Sequence, residues 1–181
     1  MHKRSVRGLQ GVAVGVLVLC TVVLGQSAAH AATFCVRTAA ELAAALLTAE
    51  SNGADDVIQV VQGTYTGSFV YSSSERLRLT MQGGYTAGCA ARVVDPPNTI
   101  LDGAHAGTAL ALASSVATDF VVDGLTLQNG SATYGNGGGL FISSNGGNVT
   151  LSNNVVSHNT ANGGATRQWG SSPLNRGEIR L

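Results

Sequence analysis

The sequence predicts an all-β solenoid, on three observations. First, residues 110–159 read as one unit written twice at an offset of 30. Leu110 and Leu112 recur as Leu140 and Ile142, Ser114 as Ser144, Val121 as Leu151, Leu125 as Val155 and Asn129 as Asn159. Second, the apolar runs are short and separated by Gly, Ser and Asn, so strands alternate with tight turns. Third, a single amphipathic helix stands ahead of them. A fixed period of this size suits stacked repeats, because one repeat cannot bury its own apolar face and needs a neighbour to cover it.

Taken in order, residues 1–31 carry the pattern of a secretory signal peptide. Lys3, Arg4 and Arg7 form a basic start, residues 12–24 an apolar run, and Ala29-His30-Ala31 a small-x-small cleavage site. The run has 13 residues, short of the roughly 20 that cross a bilayer, so the mature chain is expected to have no transmembrane segment. Cys20 does not read as a lipoprotein site, because Leu19 sits where a small residue is wanted. Cleavage after Ala31 leaves seven arginines, no lysine and ten acidic residues, a formal charge of −3. An acidic, lysine-free chain has no means of neutralising phosphates, which counts against nucleic acid and anionic lipid as partners. Export also sets the expectation for Cys35 and Cys89. An even pair in an oxidising compartment is most simply a disulfide, which would stabilise by roughly 4 kcal/mol in the chain-entropy model.

Residues 32–53 are expected to form an N-terminal capping segment with a helix over residues 38–52. Thr38 followed by Glu41 is a capping box. Leu42, Ala45, Leu46 and Ala49 share one face, and Asn52-Gly53 supplies a stop. A short Ala-rich helix with one apolar side needs a surface, and the open end of a solenoid offers exposed core and unpaired backbone.

Residues 54–164 are expected to hold the coils. Residues 57–61 and 68–71 read as strands, and Leu77, Leu79 and Met81 alternate with polar residues, which puts one side on a core. Thr80-Met81-Gln82-Gly83-Gly84 resembles Thr126-Leu127-Gln128-Asn129-Gly130, suggesting a related turn. Residues 85–98, with Cys89 and Pro96-Pro97, read as an excursion, since adjacent prolines do not fit a central strand. The two copies then carry strands near residues 109–113, 119–122 and 125–128, and 139–143, 149–152 and 154–157. Three strands and three turns describe one coil of a right-handed parallel β-helix. Stacking would set Asn129 over Asn159 as a structural ladder whose amides bridge coils. At residues 165–181 the pattern fails: Trp169-Gly170-Ser171-Ser172-Pro173 replaces the next strand, and Arg167, Arg176 and Arg180 crowd together. This atypical tail reads either as a chain that stops mid-solenoid or changes reading frame, or as a plain polar tail. Either way the last coil would present a bare strand edge, open to self-association.

Several of these residues resemble the N-terminal part of exported bacterial proteins with right-handed parallel β-helix repeats, of the pectin-lyase-like superfamily. The matching motifs include Glu41-Leu42 with Ala45-Leu46, Asn52-Gly53-Ala54-Asp55-Asp56-Val57-Ile58, Gly63-Thr64-Tyr65, Gln82-Gly83-Gly84-Tyr85 and Thr99-Ile100-Leu101-Asp102-Gly103. Gly124-Leu125-Thr126-Leu127-Gln128-Asn129-Gly130 and Gly137-Gly138-Gly139-Leu140 also resemble repeats of polymorphic outer membrane proteins. The resemblance covers residues 33–164 and implies a secreted or cell-surface location. It speaks for fold rather than activity, since lyases, tailspikes, adhesins and passenger domains share the scaffold. Its members are commonly longer, which implies truncation at the C-terminus.

An enzymatic reading, polysaccharide lyase or glycoside hydrolase, asks for a basic proton abstractor or clustered carboxylates. Asp55-Asp56 is the one acidic pair and reads as a loop and strand entry. Asp102-Gly103 and Asp123-Gly124 read as turn dipeptides, and His105 and His158 as surface histidines. Asn148-Val149-Thr150 fits a glycosylation triplet, and the calcium-binding nonapeptide is absent. No catalytic residue, metal ligand or cofactor site is therefore expected. The reading placed first is a non-catalytic surface module that binds glycans or another cell surface, or spaces other domains. The alternatives are the polysaccharide-processing enzyme and a fragment without independent function.

Overall fold

A computed structural model describes residues 31–132, 137–161 and 179–180. The signal-peptide reading, Ala31 apart, and most of the atypical tail lie outside these residues. Strand β1 (Ala32–Val36) precedes helix α1 (Ala39–Ala49). The chain continues through β2 (Asp56–Val61), β3 (Gly63–Thr66), β4 (Phe69–Ser73), β5 (Arg78–Tyr85) and β6 (Thr99–Asp102). The first copy of the repeat supplies β7 (Leu110–Ser114), β8 (Asp119–Asp123), β9 (Thr126–Gln128) and β10 (Ser131–Ala132). The second supplies β11 (Leu140–Ser144), β12 (Val149–Ser152), β13 (Val155–Ser157) and β14 (Thr160–Ala161), and β15 (Ile179–Arg180) follows.

Strand is the prevailing element of the described chain, arranged almost throughout in parallel sheets. One sheet runs β1-β2-β5-β8-β12, a second β4-β7-β11, and a third β3-β6-β9-β13; β10 and β14 form a small parallel pair. The chain visits the three larger sheets in a constant order, so each strand pairs with one from the next visit. In the first sheet Asp56 pairs with Leu79, Arg78 with Asp119 and Phe120 with Val149, steps of 23, 41 and 29 residues. The long step contains the expected excursion. Two short 3-10 turns, Ala87–Cys89 and Pro96–Asn98, and an antiparallel bridge between Tyr85 and Arg92 carry it outside the parallel ladder.

Period-2 alternation turns one face of each strand inward. The resulting rows join Leu79 to Phe120, Ile58 to Met81 and Val122, Phe69 to Leu110 and Leu140, and Leu101 to Leu127 and Val156, all buried. Each such side chain contributes roughly 1.5–3 kcal/mol through burial. Tyr71 and Phe120 meet edge to face at 5.8 Å, the arrangement that the ring quadrupoles favour. Tyr65 is buried with its hydroxyl 3.0 Å from the Val36 carbonyl and 2.8 Å from that of Val61. Burial pushes its pKa up to about 12.

Helix α1 forms as its cap and pattern imply. Thr38 Oγ1 accepts the Glu41 N–H at 3.1 Å, and Leu42, Ala45, Leu46 and Ala49 are its buried residues. The capping box closes differently from the expectation, because the Glu41 carboxylate takes the N–H of Arg37 at 2.7 Å and pairs with its guanidinium. The helix also ends earlier, at Ala49, with the Glu50 N–H bonded to the Leu46 carbonyl. Asn52, expected at the stop, instead bonds Asp56 and the Ala54 N–H. The helix lies against β1, β2 and β4. At its end Glu50 accepts the Ser72 N–H on its carboxylate and the Ser73 hydroxyl on its carbonyl, tying it to edge strand β4.

Three expectations are corrected by the strand register. The offset of 30 holds from Leu110↔Leu140 to Ser114↔Ser144, but from Phe120↔Val149 onward it is 29. Val121 therefore pairs with Thr150, and Leu151 with inward-facing Val122. The same slip cancels the Asn129–Asn159 ladder, because Gln128 pairs with Ser157 and Asn159 falls one position beyond Asn129. The cause is a shorter turn: five residues link Ser114 to Phe120, and four link Ser144 to Val149. Gly147 permits the tighter path, since a Cβ there would run into the Thr118 carbonyl oxygen. Second, Thr80-Met81-Gln82 and Thr126-Leu127-Gln128 belong to different sheets, so their likeness is not one of position. Third, the last edge is bare only in part: β15 pairs antiparallel with β13, while β11 and β12 have no further strand neighbour among the described residues.

Candidate functional site

The acidic side chains sit at strand ends, where backbone leaving a sheet frees N–H groups for them. Asp102 closes β6. Its Oδ1 accepts the Ala104 N–H at 2.9 Å, and its Oδ2 accepts the amides of Gln128 at 2.9 Å and Asn129 at 2.8 Å. Asp123 closes β8. Its Oδ1 accepts the Ser152 hydroxyl at 3.0 Å and the Asn153 amide at 2.7 Å, while Oδ2 takes the Arg92 guanidinium at 2.7 Å. Arg92 also donates to the Gly83 carbonyl, so it clamps the excursion across β5 and β8. Asp102 thus forms a turn, as expected, through the Ala104 N–H, whereas the Asp123 carboxylate takes only side-chain donors; both join layers, which the sequence reading missed.

Charge states follow from these contacts. Burial pushes Asp102 and Asp123 up, yet hydrogen bonds outweigh it and hold both below the usual carboxylate range. The donors are Gln128, the Ala104 N–H and Asn129 for Asp102, and Asn153, Arg92 and Ser152 for Asp123, which also feels the Arg92 charge. Asp119 is lowered first by the Asn148 N–H, with the Asn148 amide and Arg78 adding to it against a burial cost. Asp56 alone among the carboxylates with a resolved shift is raised, chiefly by burial. It is 2% exposed at the start of β2, where no substrate reaches it.

The remaining candidates are dispersed. Cys35 on β1 and Cys89 in the excursion lie at disulfide distance, with Cα atoms 5.9 Å apart. Asn129 turns to Asp102, whereas Asn159 accepts the Gly130 N–H at 2.7 Å and donates to the Leu127 carbonyl at 2.8 Å. The best-buried amide of this kind is Asn154, overlooked in the sequence. It accepts the Leu125 N–H at 3.0 Å and donates to the Val122 carbonyl at 2.8 Å. The signal for it was Asn153-Asn154 standing where the first copy has Gly124-Leu125. His105 and His158 are both exposed. Among the described residues no three His, Cys, Asp or Glu side chains converge as metal ligands.

A polar recess lies at the corner where the turns before β2, β5 and β8 meet. It has a volume of about 260 Å³ and is lined by Asp55, Arg76, Leu77, Arg78, Ala117 and Asp119. Asp55 Oδ1 accepts the Arg78 N–H at 2.8 Å. Asp119 Oδ1 accepts both the N–H and the amide of Asn148, and its Oδ2 lies 3.5 Å from the Arg78 guanidinium. Arg76 is exposed and pairs with no carboxylate among the described residues. Compared with known proteins, the chain matches no family model, no curated protein and no solved structure, so its own residues carry the functional inference.

Proposed function

We propose that this chain is an exported right-handed parallel β-helix module of the pectin-lyase-like kind, which presents a polar surface to glycans or another cell surface and does not catalyse a reaction. The observation that carries this reading is the use made of the carboxylates. Asp102, Asp119 and Asp123 are bound by donors from adjacent layers and held ionised, so none is suited to be the general acid that glycoside cleavage needs. They act as rungs. The constant order in which the chain visits three parallel sheets, and the helix seated against β1, β2 and β4, support the solenoid and its N-terminal cap. The cysteine pair at disulfide distance is compatible with an oxidising compartment.

The test is a glycan array run beside a turnover screen. Binding to one or more glycans, with no unsaturated or reducing-end products from acidic and neutral polysaccharides with or without calcium, is the expected outcome. Turnover abolished by substituting a single Asp or Arg would replace this reading with the enzymatic one.

A further inference from the structure

We propose that the corner recess between Asp55, Arg76, Arg78 and Asp119 is a binding site for one neutral sugar ring. This rests on the glycan-binding reading above and names its place and ligand. Two guanidinium groups and two carboxylates line the recess, so its formal charge is zero and its net field favours neither an anion nor a cation. What the recess does offer is donors beside acceptors. Arg76 is uncommitted among the described residues, and Arg78 makes one long contact at 3.5 Å. Asp55 and Asp119 both line this space, each with its Oδ1 held by a backbone N–H, so their carboxylates keep further acceptor capacity beside Arg76 and Arg78. Neighbouring sugar hydroxyls each donate and accept, and match such a set pairwise.

Shape and rigidity agree with this chemistry. Leu77 and Ala117 give apolar contact for the C–H face of a ring. At about 260 Å³ the recess falls below the roughly 300–1,000 Å³ of sites for drug-sized ligands, which suits a single ring better than an extended chain. The backbone bonds to Asp55 and Asp119 fix the acceptors before a ligand arrives, lowering the ordering cost of binding. A uronate meets two carboxylates as well as two guanidinium groups, so its charge brings no net gain over a neutral ring.

Saturation-transfer NMR on the full chain, with methyl glucoside, methyl galactoside, methyl mannoside and methyl glucuronide as probes, tests the site. Transfer to at least one neutral glycoside, no stronger transfer to the glucuronide, and an affinity about tenfold lower in Arg76→Ala are expected, from the loss of a charged hydrogen-bond donor. Asp55→Asn, which keeps the Oδ1 acceptor for Arg78, serves as the second variant, and both are checked for an unchanged thermal transition. Preference for the glucuronide, or no transfer to any neutral glycoside, overturns the proposal. Neutral-sugar binding untouched by both variants moves the site elsewhere while the glycan-binding reading survives. Silence here and on the array removes both.

Discussion

The two copies of the repeat are alike in sequence and unlike in burial. In the first, Leu112, Phe120 and Val122 are fully buried. Their partners in the second are Ile142, Val149 and Leu151; Val149 is 46% exposed and the other two only partly buried. Residue type and strand position scarcely differ. What differs is that β7 and β8 have a parallel neighbour on both sides, whereas among the described residues β11 and β12 each end their sheet. An inward-facing residue in such a stack is therefore buried by the layers flanking it more than by its own strand.

The contrast is broken most directly by core truncation. Phe120→Ala should cost about 3–5 kcal/mol, and Val149→Ala well under about 1 kcal/mol, because a half-exposed valine leaves little cavity. Denaturant midpoints of the two variants would measure it, and equal losses would show that the second copy is as fully covered as the first. Asn154→Ala comes next. It strands the Leu125 N–H and the Val122 carbonyl inside the junction between copies, for a loss of about 1–3 kcal/mol, while exposed Asn148→Ala should stay within about 0.5 kcal/mol. Gly147→Ala should cost about 1–3 kcal/mol because the new methyl meets backbone. Ala117, in the corresponding turn of the first copy, already carries a Cβ and should tolerate Ser within about 0.5 kcal/mol. Thermal unfolding of the pair would check this.

The smallest effect is a pH dependence. Asp123 bridges Arg92, Ser152 and Asn153, and its position in the second copy is held by uncharged Ser152. Its folded pKa is depressed below the unfolded value of about 3.9. Its contribution is thus full above that value and disappears as pH falls through the depressed one. Stability followed from neutral pH down to about pH 3 should fall less steeply in Asp123→Asn than in the parent chain. Parallel curves would mean the carboxylate does not couple the copies.

Much of this comparison was legible in the sequence. Alternation in residues 110–113 and the Thr38 cap named their elements and buried faces correctly, because period and capping are local. The one-residue slip was not legible, since Val121 with Leu151 and Val122 with Leu151 are equally apolar matches. The positive-φ residues were the discriminating signal: Gly124 with Asn153, and Asn129 with His158, all align at 29. Strand β1 escaped notice because Ala32-Thr33-Phe34-Cys35-Val36 is short and gains its partner 24 residues later, at Asp56. The Arg92–Asp123 clamp and the corner recess were hidden for the same reason. They join residues that only the stacking of turns brings together, and turns carry no periodic pattern to read.

The shortened turn at Gly146-Gly147 has a consequence for how such a chain can vary over generations. Because each sheet sets its own register, the loss of one residue between Ser144 and Val149 is absorbed within that corner, and β12 and β13 still meet β8 and β9 side chain to side chain. Insertions and deletions at corners are then nearly silent, while the same change inside a strand would turn every following residue inside out. A lineage of these repeats should accordingly drift in length by corners, keeping its core in phase long after a fixed-period alignment has lost the thread.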